Sequence, residues 1–388
     1  MPRQWLALVR CLYSGNAVTT EMNGAQSEQV TVTRGLRQGC PLSPLLYILY
    51  VSGLERRLLQ SGVGFSFTHL EKGEPVNWTL PGLTFADDIV LTAKSVESLQ
   101  QLLVICVEEA DARCLRFNSK KSAVVQLAGP EEPRIGHCVL KGERIPLQGT
   151  YKYLGILLTN KPEYLAEHHL HLRKTAVRNT SVFRKRNLWS CNRFLVIREL
   201  WKAAMVPGLT FGNAAVCIPG DVRDILERRQ REVGRQALGC HGMVANEAVQ
   251  GDLGWSSFEA REAASKIGYD GRLRLMDRGR WAKRLFVYIH LTGIQTKWRK
   301  RLYQLEKKYG FFTVPVAATT EQKWELEVRK RVREEEAVQW PEAARSKSTL
   351  QVYNRWKNEI STETTLYDNS LGSRLLFEAR AGGLRTLV

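Results

Sequence analysis

The stretch GLTFADDIVLTAKS, Gly82 to Ser95, sets two adjacent aspartates inside a run that otherwise reads as β-strand. Leu83, Phe85, Ile89, Val90 and Leu91 are residue types that fill a pleated, half-buried surface. A carboxylate in such company is costly unless something positive sits beside it or it is held out in water. A hairpin answers both demands, because its tight turn lifts Asp87 and Asp88 out of the sheet while the strands fix their direction. Two such carboxylates make a hard, oxygen-rich site suited to Mg²⁺. Two-metal phosphoryl transfer uses one ion to activate the attacking hydroxyl and another to hold the leaving pyrophosphate. Short acidic turns are also frequent as plain surface hairpins, so the surrounding sequence has to decide.

Toward the C-terminus, Ser95 is placed to cap a helix with Leu99, Leu102, Leu103, Cys106, Val107, Ala110 and Cys114 on one face. FNSKKSAVVQL, 117–127, reads as a turn and then a strand, HCVLKGERIPL as a hairpin about Lys141–Gly142, and YKYLGILLT as a further strand. Toward the N-terminus, QWLALVRCLY, 4–13, reads as the end of an amphipathic helix closed by SGN, and a polar hairpin follows about Asn23–Gly24. Ser43 as N-cap and Pro44 at the first helical position open a helix that stops at Ser61–Gly62. This order predicts an α+β fold, an antiparallel sheet with helices on one face. From about residue 160 the pattern becomes helical and rich in Arg and Lys. The expected organisation is an α+β domain over 1–159, a basic helical domain over 160–250 and a charged helical extension over 251–388. VPVAATTE, 314–321, reads as a linker or loop within the last.

RGLRQGCPLSPLLYILYVSGLERRL together with LTFADDIVLTAKS resembles the reverse transcriptases of non-LTR (LINE-type) retrotransposons. Their Gly-x-x-Gln-Gly-x-Pro-x-Ser-Pro-like motif is matched by Gly35, Gln38, Gly39, Pro41, Ser43 and Pro44, and their acidic turn by Phe85, Ala86, Asp87 and Asp88. The resemblance covers about residues 5–160, thins over the basic helices and fades beyond 260. It implies an incomplete polymerase palm followed by a basic helical thumb, with Asp87 and Asp88 as catalytic metal ligands. It further implies Arg37, Gln38, Gly39, Pro41 and Ser43 near nucleotide or template, and Asn118 with Lys120 or Lys121 at the nucleotide end. Tyr153, Leu154 and Gly155 match the primer grip. The partners implied are an RNA template with a DNA primer or an RNA–DNA duplex, and deoxynucleoside triphosphates.

The residues give some of these roles a separate basis. Gly35 and Gly39 let backbone approach a ligand closely, Gln38 offers a donor and an acceptor, and Arg37 offers a cation for phosphate. The first N–H groups of the helix after Pro44 favour phosphate in the same region. A lysine pair after a turn is often only solvated, but Lys120 or Lys121 could also face a triphosphate or protonate pyrophosphate. RKTAVRNTSVFRKRNLW supplies Arg173, Lys174, Arg178, Arg184, Lys185 and Arg186 for a nucleic-acid backbone, against the plainer reading of a solvated helix face. KWRKRLYQLEKKYGFF is a second, lesser candidate.

The family uses a third carboxylate on a strand upstream of the Gly-Gln-Gly loop. Between Met1 and Gly35 the acidic residues are Glu21 and Glu28, both in the polar hairpin. The expectation is therefore a fragment of a larger element, without fingers and without detectable polymerase activity as an isolated chain. The alternative is a non-enzymatic nucleic-acid-binding protein that keeps palm and thumb as scaffold. Half a palm would also expose a sheet edge and apolar surface.

Composition agrees with a folded, nucleic-acid-facing chain. The 388 residues are 44% hydrophobic and 25% charged, with net charge +18, which favours a polyanionic partner. Eight cysteines without C-x-x-C spacing read as free thiols in a reduced compartment. His168, His169 and His171 lack Cys or acid partners at metal-ligand spacing and read as a surface helix. Neither a signal peptide nor a membrane span is apparent, which predicts an intracellular protein of nucleus or cytoplasm.

Overall fold

The computed structural model describes residues 3–71, 74–127, 137–184, 191–312 and 320–384. It falls into two compact units: Met1–Thr68, Asn77–Ser122 and Ile135–Ile145 make the first, and His69–Val76, Ala123–Arg134 and Pro146–Val388 the second.

The first unit opens with α1 (Arg3–Tyr13), followed by β1 (Ala17–Val18), β2 (Glu21–Met22), β3 (Ala25–Gln26) and β4 (Val30–Thr31). β1 pairs with β4 and β2 with β3, and Asn23 and Gly24 form the predicted turn with φ of 52° and 81°. Next come α2 (Ser43–Gln60), β5 (Phe65–Glu71), β6 (Glu74–Leu80), β7 (Gly82–Phe85), β8 (Asp88–Leu91) and α3 (Val96–Ala112). β9 (Val139–Leu140) and β10 (Glu143–Arg144) form the expected hairpin about Lys141–Gly142.

The chain is thus mixed helix and antiparallel strand. The expected single sheet, however, is replaced by separate ladders, each of two strands among the described residues. Apart from the seven-residue pair β5–β6, the strands are two to four residues long and offer little edge for a third to join.

Leu54 and Leu58 of α2 meet Leu102 and Cys106 of α3, and Ile89, Leu91 and Phe117 pack against them. The alternation of β8 therefore points Ile89 and Leu91 at the helices. Ser95 caps α3 as predicted, its Oγ accepting from the Ser98 N–H at 3.2 Å. Cys114, expected on the buried face, lies beyond the helix end with φ 54° and is exposed. Glu109 sits instead on the buried side, where Arg57 at 3.1 Å and Arg113 neutralise it and tie α2 to α3.

Ser43 does not act as N-cap. Leu42 is already helical, with φ −80° and ψ −23°, so Ser43 starts the helix itself. Its hydroxyl turns back and donates to the Arg37 carbonyl at 2.7 Å.

The second unit, which also takes in the His69–Val76 ends of β5 and β6, continues beyond Pro146 with β11 (Thr150–Tyr153) and β12 (Ile156–Thr159). YKYLGILLT is therefore a hairpin and not one strand, broken where Leu154 and Gly155 take φ of 45° and 83°. The strand expected after Asn118 shrinks to an isolated bridge between Val124 and Leu147. Helices follow: α4 (Ala166–Val182), α5 (Arg193–Leu200), α6 (Val206–Thr210), α7 (Gly220–Leu238), α8 (Asn246–Leu253), α9 (Phe258–Leu275), α10 (Trp281–Leu291), α11 (Lys297–Lys308), α12 (Glu321–Arg345), α13 (Tyr353–Trp356) and α14 (Leu371–Arg380). A π-helical turn, Trp201–Met205, joins α5 to α6 and swings Trp201 fully into the core.

One core runs from Phe183 and Phe194 through Trp201, Leu226 and Leu253 to Trp340, Tyr353 and Phe377. It joins the basic helices to residues beyond 250. A second core gathers Ile267, Leu305, Trp324 and Val328 from α9, α11 and α12. Gly271 permits that crossing, since a Cβ there would meet Trp324 Nε1 at 1.9 Å. Most of VPVAATTE lies outside the described residues.

Candidate active site

The aspartates stand where the hairpin reading put them. β7 and β8 pair with Phe85 opposite Asp88, leaving Ala86 and Asp87 as a two-residue loop. Ala86 takes φ 51°, a left-handed conformation that side chains other than glycine adopt at some cost and that clusters at functional turns. Asp87 and Asp88 are both exposed. They are neither buried nor ion-paired among the described residues.

Tyr47, one turn into α2, connects the acidic turn to the glutamine loop. Its phenol pKa is raised by burial first and then by the Asp87 charge. The acidic hairpin packs on the same helix, since Ile89 and Leu91 of β8 lie against the cluster of Leu54 and Leu58. Sequence reasoning missed Tyr47; its position one turn past Pro44 was the available signal.

The loop before α2 is held by its own polar groups. Arg37 donates to the Asn16 side chain, and its guanidinium lies 5.7 Å from the Tyr13 ring centroid. Gln38 and Pro41 are exposed. Gly35 and Gly39 have φ of 101° and 80°, and a Cβ on either would meet nothing within 4 Å. Within the chain, conformation and not crowding demands glycine at these two positions.

Asn118 caps a 3₁₀ turn, Ser119–Lys121, by accepting from the Lys121 N–H at 3.2 Å. Lys120 and Lys121 are exposed on that turn. Tyr153, Leu154 and Gly155 form the end of the β11–β12 hairpin in the second unit. Gly155 is pressed by Phe211, whose ring would lie 2.7 Å from an added Cβ.

The basic residues of α4 do not all share one fate. Arg173, Lys174 and Arg178 line a groove of about 480 Å³ together with Val177, Ile225, Arg228 and Arg229. Five cations thus flank a narrow apolar floor between α4 and α7. Arg173 leans on Asp221, and Arg229 on Glu232 at 2.7 Å. Arg184 pairs with Glu232 and lies outside the groove lining. Lys185 and Arg186 lie outside the described residues. Arg228 and Arg229 were missed, although they follow Ile225 at the helical spacings of three and four.

The histidines correct the surface reading. His168 and His169 are 3% and 7% exposed, because the apolar face of α4 carries them into the core with Leu172. Burial, then the neighbouring His169 and His171, lowers the His168 pKa to about 4. His169 Nε2 lies 3.0 Å from the Cys217 carbonyl. Cys11, Cys40, Cys106, Cys114, Cys138, Cys217 and Cys240 are free of disulfides, and burial pushes the Cys106 and Cys240 thiols up to about 12.

Asp87 and Asp88 offer hard oxygen donors of the kind Mg²⁺ takes. Among the described residues, no group of three or more His, Cys, Asp or Glu is placed to hold a metal ion. The pair fits a hydrated ion held by two protein carboxylates. No helix among the described residues is long and apolar enough to cross a membrane.

Residues 1–158 match the family described as reverse transcriptase (RNA-dependent DNA polymerase). The chain is 30% identical over 171 residues to the Pol polyprotein of the type-2 retrotransposable element R2DM of Drosophila melanogaster, covering 41% of this chain and 15% of that one. It is 23% identical over 265 residues to the probable RNA-directed DNA polymerase of the Drosophila melanogaster transposon X-element, covering 65% of this chain and 27% of that one. The matched segments are thus well under a third of either relative's length. Residues 1–158, which carry both the glutamine loop and the acidic turn, are similar to reverse transcriptases, and the relatives reported are proteins of Drosophila melanogaster retrotransposable elements.

Proposed function

We propose that the chain is the palm-and-thumb part of a retrotransposon RNA-directed DNA polymerase and that it engages a primer–template duplex. The observation that carries this reading is the exposed Asp87–Asp88 turn beside the helix of the Gly-Gln-Gly loop, in the segment that matches the family. Asp87 would be the principal Mg²⁺ ligand, with Asp88 beside it. When bound there, the ion supplies positive charge for phosphate oxygens. Gln38, Arg37 and the N-terminus of α2 would face nucleotide or template, and Asn118 with Lys120 or Lys121 the triphosphate end. Tyr153, Leu154 and Gly155 would support the primer. The groove of Arg173, Lys174, Arg178, Arg228 and Arg229 suits a phosphate backbone by charge, with binding that weakens steeply as salt rises.

Two carboxylates without a third hold Mg²⁺ weakly and leave much of the transition-state charge unbalanced. The chain alone is therefore expected to bind an RNA–DNA duplex without extending the primer. Filter binding and primer extension on a primed RNA template test both halves. Arg178→Glu should weaken duplex binding about ten-fold and lower the salt slope, while Asp87→Ala should leave binding unchanged. Incorporation that disappears in Asp87→Ala would overturn the inactive half of the reading. Duplex binding indifferent to both salt and Arg178→Glu would overturn the other.

A further inference from the structure

Lys266 of α9 is fully buried, and its ammonium donates to the carbonyls of Asn213 and Val216, each at 2.9 Å. The same turn receives a further donor, Trp298 Nε1 of α11, on the Ala214 carbonyl at 2.7 Å. Glu262, one helical turn before Lys266, is committed to Arg223 at 3.0 Å and Arg301 at 2.8 Å. Within the turn, the N–H groups of Ala215 and Val216 both donate to the Gly212 carbonyl, at 2.9 and 2.8 Å. The backbone between α6 and α7 is therefore tied down by side chains of α9 and α11. An apolar side chain of the same length would fill the space without the cost of desolvating an ammonium. What Lys266 adds is the fixed place of two carbonyls.

The start of this turn meets the β11–β12 hairpin through two glycines. Leu154 and Gly155 form the two-residue loop of the hairpin, both with positive φ. A Cβ on Gly155 would meet three atoms of the Phe211 ring at 2.7, 3.3 and 3.4 Å. Gly212, with φ 76°, answers it: a Cβ there would meet Ile156 Cδ1 at 2.9 Å. Hairpin and turn interlock, each presenting bare backbone to a side chain of the other. Val206 and Leu209 of α6 are buried in the core of Trp201, and Ile156 packs with Val216 against Leu165, Leu172 and Val222. Phe211 itself is 54% exposed, so it adds little to either core, and its contact with Gly155 asks for another reason.

We propose that Phe211 and Lys266 are positioning residues for the hairpin end Tyr153–Gly155, with Lys266 holding the Asn213–Val216 turn and Phe211 seating Gly155 against it. The proposal rests on the reading of that hairpin end as the support of the primer. It assigns the aim of the support to residues outside the segment 1–158 that matches the family. A displacement of about 1 Å is enough to spoil a positioned contact, and an interlock of backbone with ring prevents one.

Fluorescence anisotropy of the full chain tests this on two RNA–DNA duplexes of equal strand lengths. In one the RNA template runs past the 3′ end of the DNA primer, in the other past its 5′ end. Length and charge are the same, so the comparison isolates the primer terminus. The unaltered chain is expected to prefer the first duplex about ten-fold, the effect of one or two net hydrogen bonds. Phe211→Ala should bring that preference below about two-fold while leaving affinity for the second duplex unchanged. Phe211→Tyr keeps the ring and should keep the preference. Lys266→Met has the length without the donors and should lose the preference; if it does not fold, Phe211→Ala carries the test from its exposed position. A preference retained by Phe211→Ala overturns the proposal. So does an equal loss on both duplexes, which would make Phe211 a part of the fold and nothing more. An unaltered chain without any preference fails in a different way: it removes the primer reading of the hairpin, and the proposal with it.

Discussion

On α2, Leu54 and Leu58 are 7% and 3% exposed, yet Leu45 and Ile48 on the same helix are both 60% exposed. On α5 of the second unit, Phe194 and Ile197 are 1% and 0% exposed. Both helices are apolar, so the difference lies in what surrounds them. α2 is covered by α3 along its C-terminal half only, whereas α5 buries one face in the core it shares with α7 and with segments from the far end of the chain, leaving Leu195 and Leu200 about 40% exposed on the other. α1 repeats the first pattern: Trp5 is 59% exposed and the helix has no buried residue. α1 and the N-terminal half of α2 thus leave apolar side chains in water, whereas the second unit gathers Phe194, Ile197 and Trp201 into a core of its own.

The sharpest way to break this comparison is a pair of truncations. Trp201→Ala empties a large volume at the centre of the second unit and is expected to cost about 3–5 kcal/mol. Ile48→Ala removes atoms already in water and is expected to cost less than about 0.5 kcal/mol. Urea titrations followed by circular dichroism measure both. Equal losses would mean that Ile48 is buried in solution and that the contrast between the units is wrong.

A smaller effect is expected from a polar contact that closes the second unit. Asp252 is fully buried and accepts from the Tyr353 hydroxyl at 2.5 Å and from that of Tyr367, with Arg380 3.8 Å away. These partners lie on or beside α13 and α14, so the carboxylate pins the end of the described chain to α8. Asp252→Ala leaves the Tyr367 hydroxyl without its acceptor and the Tyr353 hydroxyl with the Ala248 carbonyl at 3.2 Å, and a loss of about 2 kcal/mol is expected. Tyr353→Phe removes one hydrogen bond and should cost about 1 kcal/mol. Thermal melts rank the two; a larger loss for Tyr353→Phe would place the weight on packing around the ring.

The same contrast explains what could be read from the residues. Hairpins were legible where a turn needs left-handed backbone, as at Asn23–Gly24 and Lys141–Gly142, because turn chemistry is local. The acidic hairpin was legible for a related reason, since alternating apolar residues fix its register. Ser43 misled because a capping serine and a serine in the first helical position look alike without the backbone angles of Leu42. His168 and His169 misled because three histidines within four residues look polar, while helical phase puts two of them in the core with Leu172. Arg228 and Arg229 could join Arg173 and Arg178 only once α4 was seen to pack on α7, a contact about 50 residues apart in sequence. The docking of Asp252 against Tyr353 and Tyr367 spans twice that distance and leaves no pattern in the chain.

Acidity separates the buried His168 and the half-buried Glu306 of the second unit by sign, and this is the mildest effect expected. Burial, and then Asp270, raises the Glu306 pKa from 4.5 to about 7 despite Arg274 nearby. The folded chain therefore holds that proton more tightly than the unfolded chain. Its contribution is full below about pH 4.5 and is lost as pH rises toward 7. His168, lowered from 6.5 to about 4, works the other way: its contribution is present above pH 6.5 and is lost as pH falls toward 4. Between about pH 4.5 and 6.5 the two slopes oppose, and each amounts to about 1 kcal/mol after allowance for solvent screening. Urea midpoints across that range should rise with pH in Glu306→Gln and fall with pH in His168→Phe, with the unaltered chain between them. Parallel curves for all three would show that neither group is as buried in solution as the packing of α4 and α11 makes it.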